Sequence, residues 1–135
     1  MTKEELGQRL ISCKNWQWLG GMLTTCNLRV VEGGTDYIIG YRSGPTNKGG
    51  GWYDGEAKGF LPDLSDAATI GCLIHLIRLA WKCPIDIHES RGAGNRWGIS
   101  IINQEWEDDC PYFTGDNQVE ILTKALESAS EFQNN

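Results

Sequence analysis

The stretch Pro62-Asp63-Leu64-Ser65-Asp66-Ala67-Ala68-Thr69-Ile70-Gly71-Cys72-Leu73-Ile74-His75-Leu76-Ile77-Arg78-Leu79-Ala80-Trp81-Lys82-Cys83-Pro84 decides the fold. It opens on helix-start chemistry, with Ser65 or Asp63 as the expected N-cap, and closes on a proline that cannot continue a helix. Between them Ile70, Leu73, Ile74, Leu76, Ile77 and Ala80 leave only a thin polar stripe of His75, Arg78 and Lys82. A helix over about 66–81 that is apolar on most of its circumference belongs in the middle of a fold, covered on several sides. It is too short, and too interrupted by His75 and Arg78, to span a bilayer.

Towards the N-terminus, residues 26–31 and 36–42 are rich in β-branched and aromatic side chains, and Glu32-Gly33-Gly34-Thr35 joins them as a hairpin. Thr2 followed by Glu5 reads as a capping box for a helix over about 3–14. Residues 43–60 hold six glycines and Pro45 around Trp52 and Tyr53 and read as one long loop. Loops beyond about 12–15 residues are uncommon in compact domains and are often functional. Towards the C-terminus, 85–89 alternates as a half-buried strand and 97–102 is a stronger one, with Arg91-Gly92-Ala93-Gly94-Asn95 as the turn between them. An acidic loop over 103–113 leads to a last helix over about 117–132, whose Val119, Leu122, Leu126 and Ala129 form one apolar stripe. The order α-β-β-α-β-β-α over residues 1–135 predicts a single α+β domain, an antiparallel sheet packed against helices.

At 135 residues, 40% hydrophobic and 22% charged, the chain can bury a core without metal or disulfide staples. Residues 1–100 carry eleven basic and ten acidic groups, whereas residues 101–135 carry one and eight, which makes the net charge of -6 a C-terminal property. Such a balance repels phosphate backbones, so binding to a nucleic-acid duplex is not expected. Five cysteines without a C-x-x-C pair, and an N-terminus without an apolar signal core, fit a reducing cytoplasm.

No complete catalytic or cofactor signature is present. Asp86-x-His88-Glu89 is the nearest approach to a metal site, but two ligands on one strand face are explained as well by a polar outer surface. His75 follows Cys72 on one helix with nothing to orient the imidazole. Gly49-Gly50-Gly51-Trp52 lacks the Lys-Ser/Thr of a phosphate loop. Neither a metal nor a cofactor is expected. What remains are two glycine-rich loops with interleaved aromatic and basic residues. Arginines there offer bidentate phosphate donors, and tryptophan offers a stacking plane. Of six tryptophans, Trp81 and Trp97 are expected in the core, while Trp16, Trp18, Trp52 and Trp106 fall in connectors or loops that favour interfaces or pockets.

Three segments carry a resemblance: Glu4-Glu5-Leu6-Gly7 through Trp16-x-Trp18-x-x-Gly21-Met22, the stretch from Leu61-Pro62-Asp63 to Gly71-Cys72-Leu73, and Phe113-Thr114-Gly115 leading into a helix. Together they resemble a group of small tailed-phage proteins of unassigned function, in which the middle segment usually reads P-D-L-x-D-P-A-T-x-G-C-L. Ala67 stands here in place of the proline, and both suit a first helical turn. The resemblance implies a phage protein at work in the host cytoplasm and carries no catalytic residues. The expectation that follows is a non-enzymatic, homo-oligomeric binding protein that sequesters a small anionic ligand, a nucleotide-type immune signal such as a cyclic nucleotide or an ADP-ribose derivative. Its pocket would be lined by Trp52, Tyr53, Arg91, Arg96 and Trp97. The alternative is an inhibitor that meets a host protein through Glu105, Trp106, Glu107, Asp108 and Asp109. A nucleotide-processing enzyme using His75 or His88 comes third.

Overall fold

The computed structural model describes residues 2–42, 51–89, 96–102 and 111–132. The elements run α1 (Lys3–Ile11), β1 (Leu28–Gly33), β2 (Tyr37–Arg42), β3 (Gly51–Glu56), α2 (Ala67–Trp81), β4 (Ile85–Glu89), β5 (Trp97–Ile101), β6 (Tyr112–Gly115) and α3 (Gln118–Phe132). The chain is α+β, and its strands form two three-stranded antiparallel sheets, β1-β2-β3 and β4-β5-β6, where the sequence pattern suggested one sheet. Its contacts divide into two compact units, residues 1–12 with 16–72 and residues 13–15 with 73–135, so α2 contributes 67–72 to the first and 73–81 to the second.

In the first unit, β1 and β2 form the expected hairpin, and β3 corrects the long loop expected over 43–60. The strand GWYDGE has little propensity of its own, since glycine and aspartate are poor strand formers. It forms because β2 offers a paired edge along its whole length, from Tyr37↔Glu56 to Arg42↔Gly51. Glycines at 51 and 55 hide the period-2 pattern from inspection. Behind this sheet lie Leu28, Val30 and Ile38, all buried. Trp16 and Trp18 are buried as well, packed edge to face with ring centroids 5.3 Å apart. These two connector tryptophans therefore serve the core and not an outer surface. Gly33 is where the Trp18 backbone passes. A Cβ there would come within 2.7 Å of the Trp18 Cβ, and the Trp18 N–H donates to Gly34 O at 2.8 Å.

The segment before β1 runs along its outer edge. Gly21 N–H donates to Val30 O and Val30 N–H to Met22 O, both at 2.8 Å, and Leu23 bridges to Arg29. Val31 is a bulge in β1 and projects outward. The N-cap of α2 is Asp66, in place of the expected Ser65 or Asp63. Its Oδ2 accepts from Thr69 N at 3.0 Å and from the Thr69 hydroxyl at 2.9 Å, while Asp63 closes the preceding turn on Ser65 N. Thr69 is fully buried and accepts in turn from Leu23 N at 2.9 Å. Thr2 caps α1 through Glu5 N, and α1 ends at Ile11, three residues before the expected end.

In the second unit, Ile99 and Ile101 of β5 are fully buried on the sheet face that α3 covers with Ile121, Leu122, Ala125 and Leu126. Trp81 belongs to this core as expected, its indole N–H donating to Ala125 O at 2.9 Å, whereas Trp97 is only half buried. β6 was hidden for a different reason. Its four residues, YFTG, are too few to show a period and become a strand through pairing with β5. The expected polar stripe of α2 is confirmed at His75, Arg78 and Lys82, all exposed, but Leu79 at 50% exposure and Gly71 widen it. The helix buries one face and is not enclosed all round. Lys82 closes it in the left-handed region at φ 57°, donating to Arg78 O at 2.8 Å. A side chain there is strained, so Lys82→Gly is expected to raise stability by about 0.5–1 kcal/mol in urea unfolding. No gain would mean that the lysine side chain makes up for the strain.

Candidate functional site

Paired residues of an antiparallel sheet point to the same side, so the register of the first sheet defines its two faces. Arg29, Tyr41 and Trp52 are cross-strand partners and form a row over β1, β2 and β3 on the outward face. Trp52 is 73% exposed, and its ring centre lies 5.5 Å from that of Tyr41 at a tilt of 55°. Tyr37 and Val31 add further exposed apolar surface. Arg29 closes one end of the row. Its guanidinium grips Asp66 with two bonds, Nη1–Oδ2 2.8 Å and Nη2–Oδ1 3.2 Å, and Nη1 also donates to Gly21 O. These bonds, outweighing partial burial, hold the Asp66 carboxyl below and the Arg29 guanidinium above their ordinary values.

Alternation along β3 separates two residues that the sequence reading had placed side by side. Tyr53, partner of Gly40, faces away from Trp52, packs against Phe60 at 5.1 Å and donates its hydroxyl to Glu56 O at 2.6 Å. Arg96 and Trp97 belong to the second unit. Arg96 is exposed just before β5, and Trp97 opens that strand as partner of Glu89 and Gly115. Arg91 lies outside the described residues, as do Glu105, Trp106, Glu107, Asp108 and Asp109. Of the four expected pocket residues that are described, Trp52 stands on the aromatic row, Tyr53 faces the other way, and Arg96 and Trp97 belong to the second unit. Tyr41 was missed, although its place was readable from the hairpin once its register is known.

The second sheet holds a hydrogen-bonded row of its own. His88 Nε2 meets the Tyr112 hydroxyl at 3.0 Å with the two rings stacked, and His88 Nδ1 lies 3.6 Å from Asp86. Gly98 of β5 runs beneath, and a Cβ there would strike the Tyr112 hydroxyl. Glu89, one residue along β4, takes the opposite face, which breaks up the Asp86/His88/Glu89 set considered for a metal. Among the described residues no group of three or more His, Cys, Asp and Glu side chains comes together to hold a metal ion.

Cys26 is exposed, with Thr24 Oγ1 at 3.2 Å and Arg42 Nη2 at 3.3 Å. Partial burial pushes its thiol up, but the hydrogen bonds from Thr24 and Arg42 and the charge of Arg42 outweigh burial and hold it below the ordinary range. Burial, then the nearby Asp66 charge, pushes the Cys72 thiol up, and no base attends it among the described residues, since its one hydrogen bond goes to Gly20 O. His75 is exposed. No helix among the described residues is long and apolar enough to cross a membrane. No family model, curated protein or solved structure matches the chain.

Proposed function

We propose that the protein is a non-enzymatic binding protein that holds a nucleotide-type ligand unaltered, with the ligand's planar ring laid against Trp52 beside Tyr41. The observation that carries this reading is the 73% exposure of Trp52 within an ordered sheet row, where a large apolar ring is left to water and braced by a second ring. A flat, rigid π-surface of this kind is what bases stack on. By strand alternation Arg42, the next residue of β2, lies on the face opposite Trp52, so the exposed ring pair and not a charge carries this reading. The resemblance to tailed-phage proteins gives the setting, a host cytoplasm in which a phage gains by sequestering a nucleotide immune signal in a homo-oligomeric trap.

Native mass spectrometry of the protein with mono-, di- and cyclic nucleotides tests the reading. An adduct of unaltered ligand mass is expected, and the same spectrum reports the oligomeric state. Trp52→Ala is expected to weaken that adduct by roughly 10- to 100-fold, the worth of one stacked base. An adduct that survives the substitution intact would place the ligand elsewhere, and a product mass would replace sequestration with catalysis.

A further inference from the structure

β3 is an edge strand. It follows β2 without a break in register, from Tyr37↔Glu56 to Arg42↔Gly51, and no strand among the described residues pairs with its other side. None of its six residues is buried. An edge of this kind presents a row of unpaired N–H and C=O groups, which proteins usually blunt with a bulge, a proline or charged side chains. β1 has a bulge at Val31, whereas β3 has neither bulge nor proline, and its guard is acidic. Asp54 and Glu56 follow Trp52 along the outward face, and Glu32 lies across the sheet in register with Ile39 and Asp54. All three carboxylates are exposed, and none has an ion-pair partner among the described residues. Arg29, the one cation on this face among the described residues, is already bound to Asp66.

Open backbone and unmatched charge together specify an occupant. A second copy pairing through β3 would bring Asp54 and Glu56 up to the same two carboxylates, and like charges on facing strands are destabilising. A strand with lysine or arginine at every second position meets the opposite case. Its same-face side chains fall beside Trp52, Asp54 and Glu56, where a cation over the exposed indole and two cross-strand ion pairs add to the backbone bonds. On the other face Gly51 and Gly55 flank Tyr53, and a Cβ at Gly51 would meet nothing within 4 Å among the described residues, which leaves room for branched apolar side chains. We propose that the outer edge of β3 is a docking site for an extended basic segment of a partner protein, lysine or arginine alternating with apolar residues, which adds to the sheet as a fourth strand. The edge is a different site from the stacking surface of the nucleotide reading and does not depend on it, although Trp52 is common to both.

Titration calorimetry with the hexapeptide acetyl-Lys-Val-Lys-Val-Lys-Val-amide tests the assignment. It is expected to bind with one site per chain. The glutamate counterpart, acetyl-Glu-Val-Glu-Val-Glu-Val-amide, is expected to bind at least about tenfold more weakly. The lysine peptide N-methylated at every residue keeps its charge but cannot donate to β3, and a loss of at least about tenfold is expected for it as well. The exposed variant Asp54→Asn should weaken the lysine peptide by about threefold, whereas Glu4→Gln, which removes a carboxylate from α1, leaves it unchanged. Absence of binding by the lysine peptide would overturn the proposal. So would equal binding of the methylated or the glutamate peptide, or an equal loss in Glu4→Gln and Asp54→Asn. A dimer of the free protein that shuts the lysine peptide out would overturn it too, since the edge would then belong to a second copy.

Discussion

Replacing Trp18 with alanine is expected to destabilise the protein by about 3–5 kcal/mol, the range for deleting a large aromatic side chain from a packed interior. Trp18 is 2% exposed, meets Trp16 edge to face, and presses its own backbone onto Gly33. The tight contact at Gly33 limits how far the chain can collapse into the vacancy, which places the cost toward the upper end. Because whole-domain stabilities are only about 5–15 kcal/mol, the urea midpoint of the variant should fall by about a fifth or more. A loss below about 1 kcal/mol would remove Trp18 from the core.

The second large effect belongs to Asp66→Ala, expected to cost about 2–3 kcal/mol. Losing an N-cap costs about 1 kcal/mol, and the buried Thr69 hydroxyl loses its acceptor at a comparable cost. The Arg29 ion pair adds less, since the Arg29 side chain is 35% exposed and screened by solvent. The same group sets a pH dependence. Hydrogen bonds from Arg29 and then Thr69 hold the folded Asp66 below its ordinary value, so the ionised form stabilises the fold. That contribution is complete above about pH 4, the unfolded value, and is lost as pH falls through the lower folded value. Asp66→Asn keeps a capping oxygen but no charge. The stability gap between wild type and Asp66→Asn should therefore shrink as pH is lowered from 5 to 2, measured by urea unfolding. A gap that is constant over this range would mean that the charge contributes nothing.

Elements with their own periodicity were legible from the residues. α2 and α3 appear within a residue of the positions their apolar spacing predicts, and β4 matches its alternation. What failed were decisions made by the partner and not by the strand itself. β3 and β6 are strands because β2 and β5 present edges to them, and glycine-rich or four-residue segments carry no pattern that announces this. Trp16 and Trp18 were misplaced for a related reason. A connector without period gives no face to assign, so surface position was inferred from irregularity alone. Trp52 is conspicuous in the sequence as a tryptophan among glycines, but the place of its neighbour Tyr41 depends on hairpin register and that of Tyr53 on strand alternation.

The strip of backbone at 21–24 that lies along β1 has a consequence for how copies of this chain can meet. With that margin occupied, the first sheet retains at most one rim able to accept a foreign strand. Two molecules joined there would use up each other's only vacancy, and the union would end as a closed twofold pair. Growth of an open-ended filament by strand addition needs a second vacancy on every member, and this sheet does not offer one.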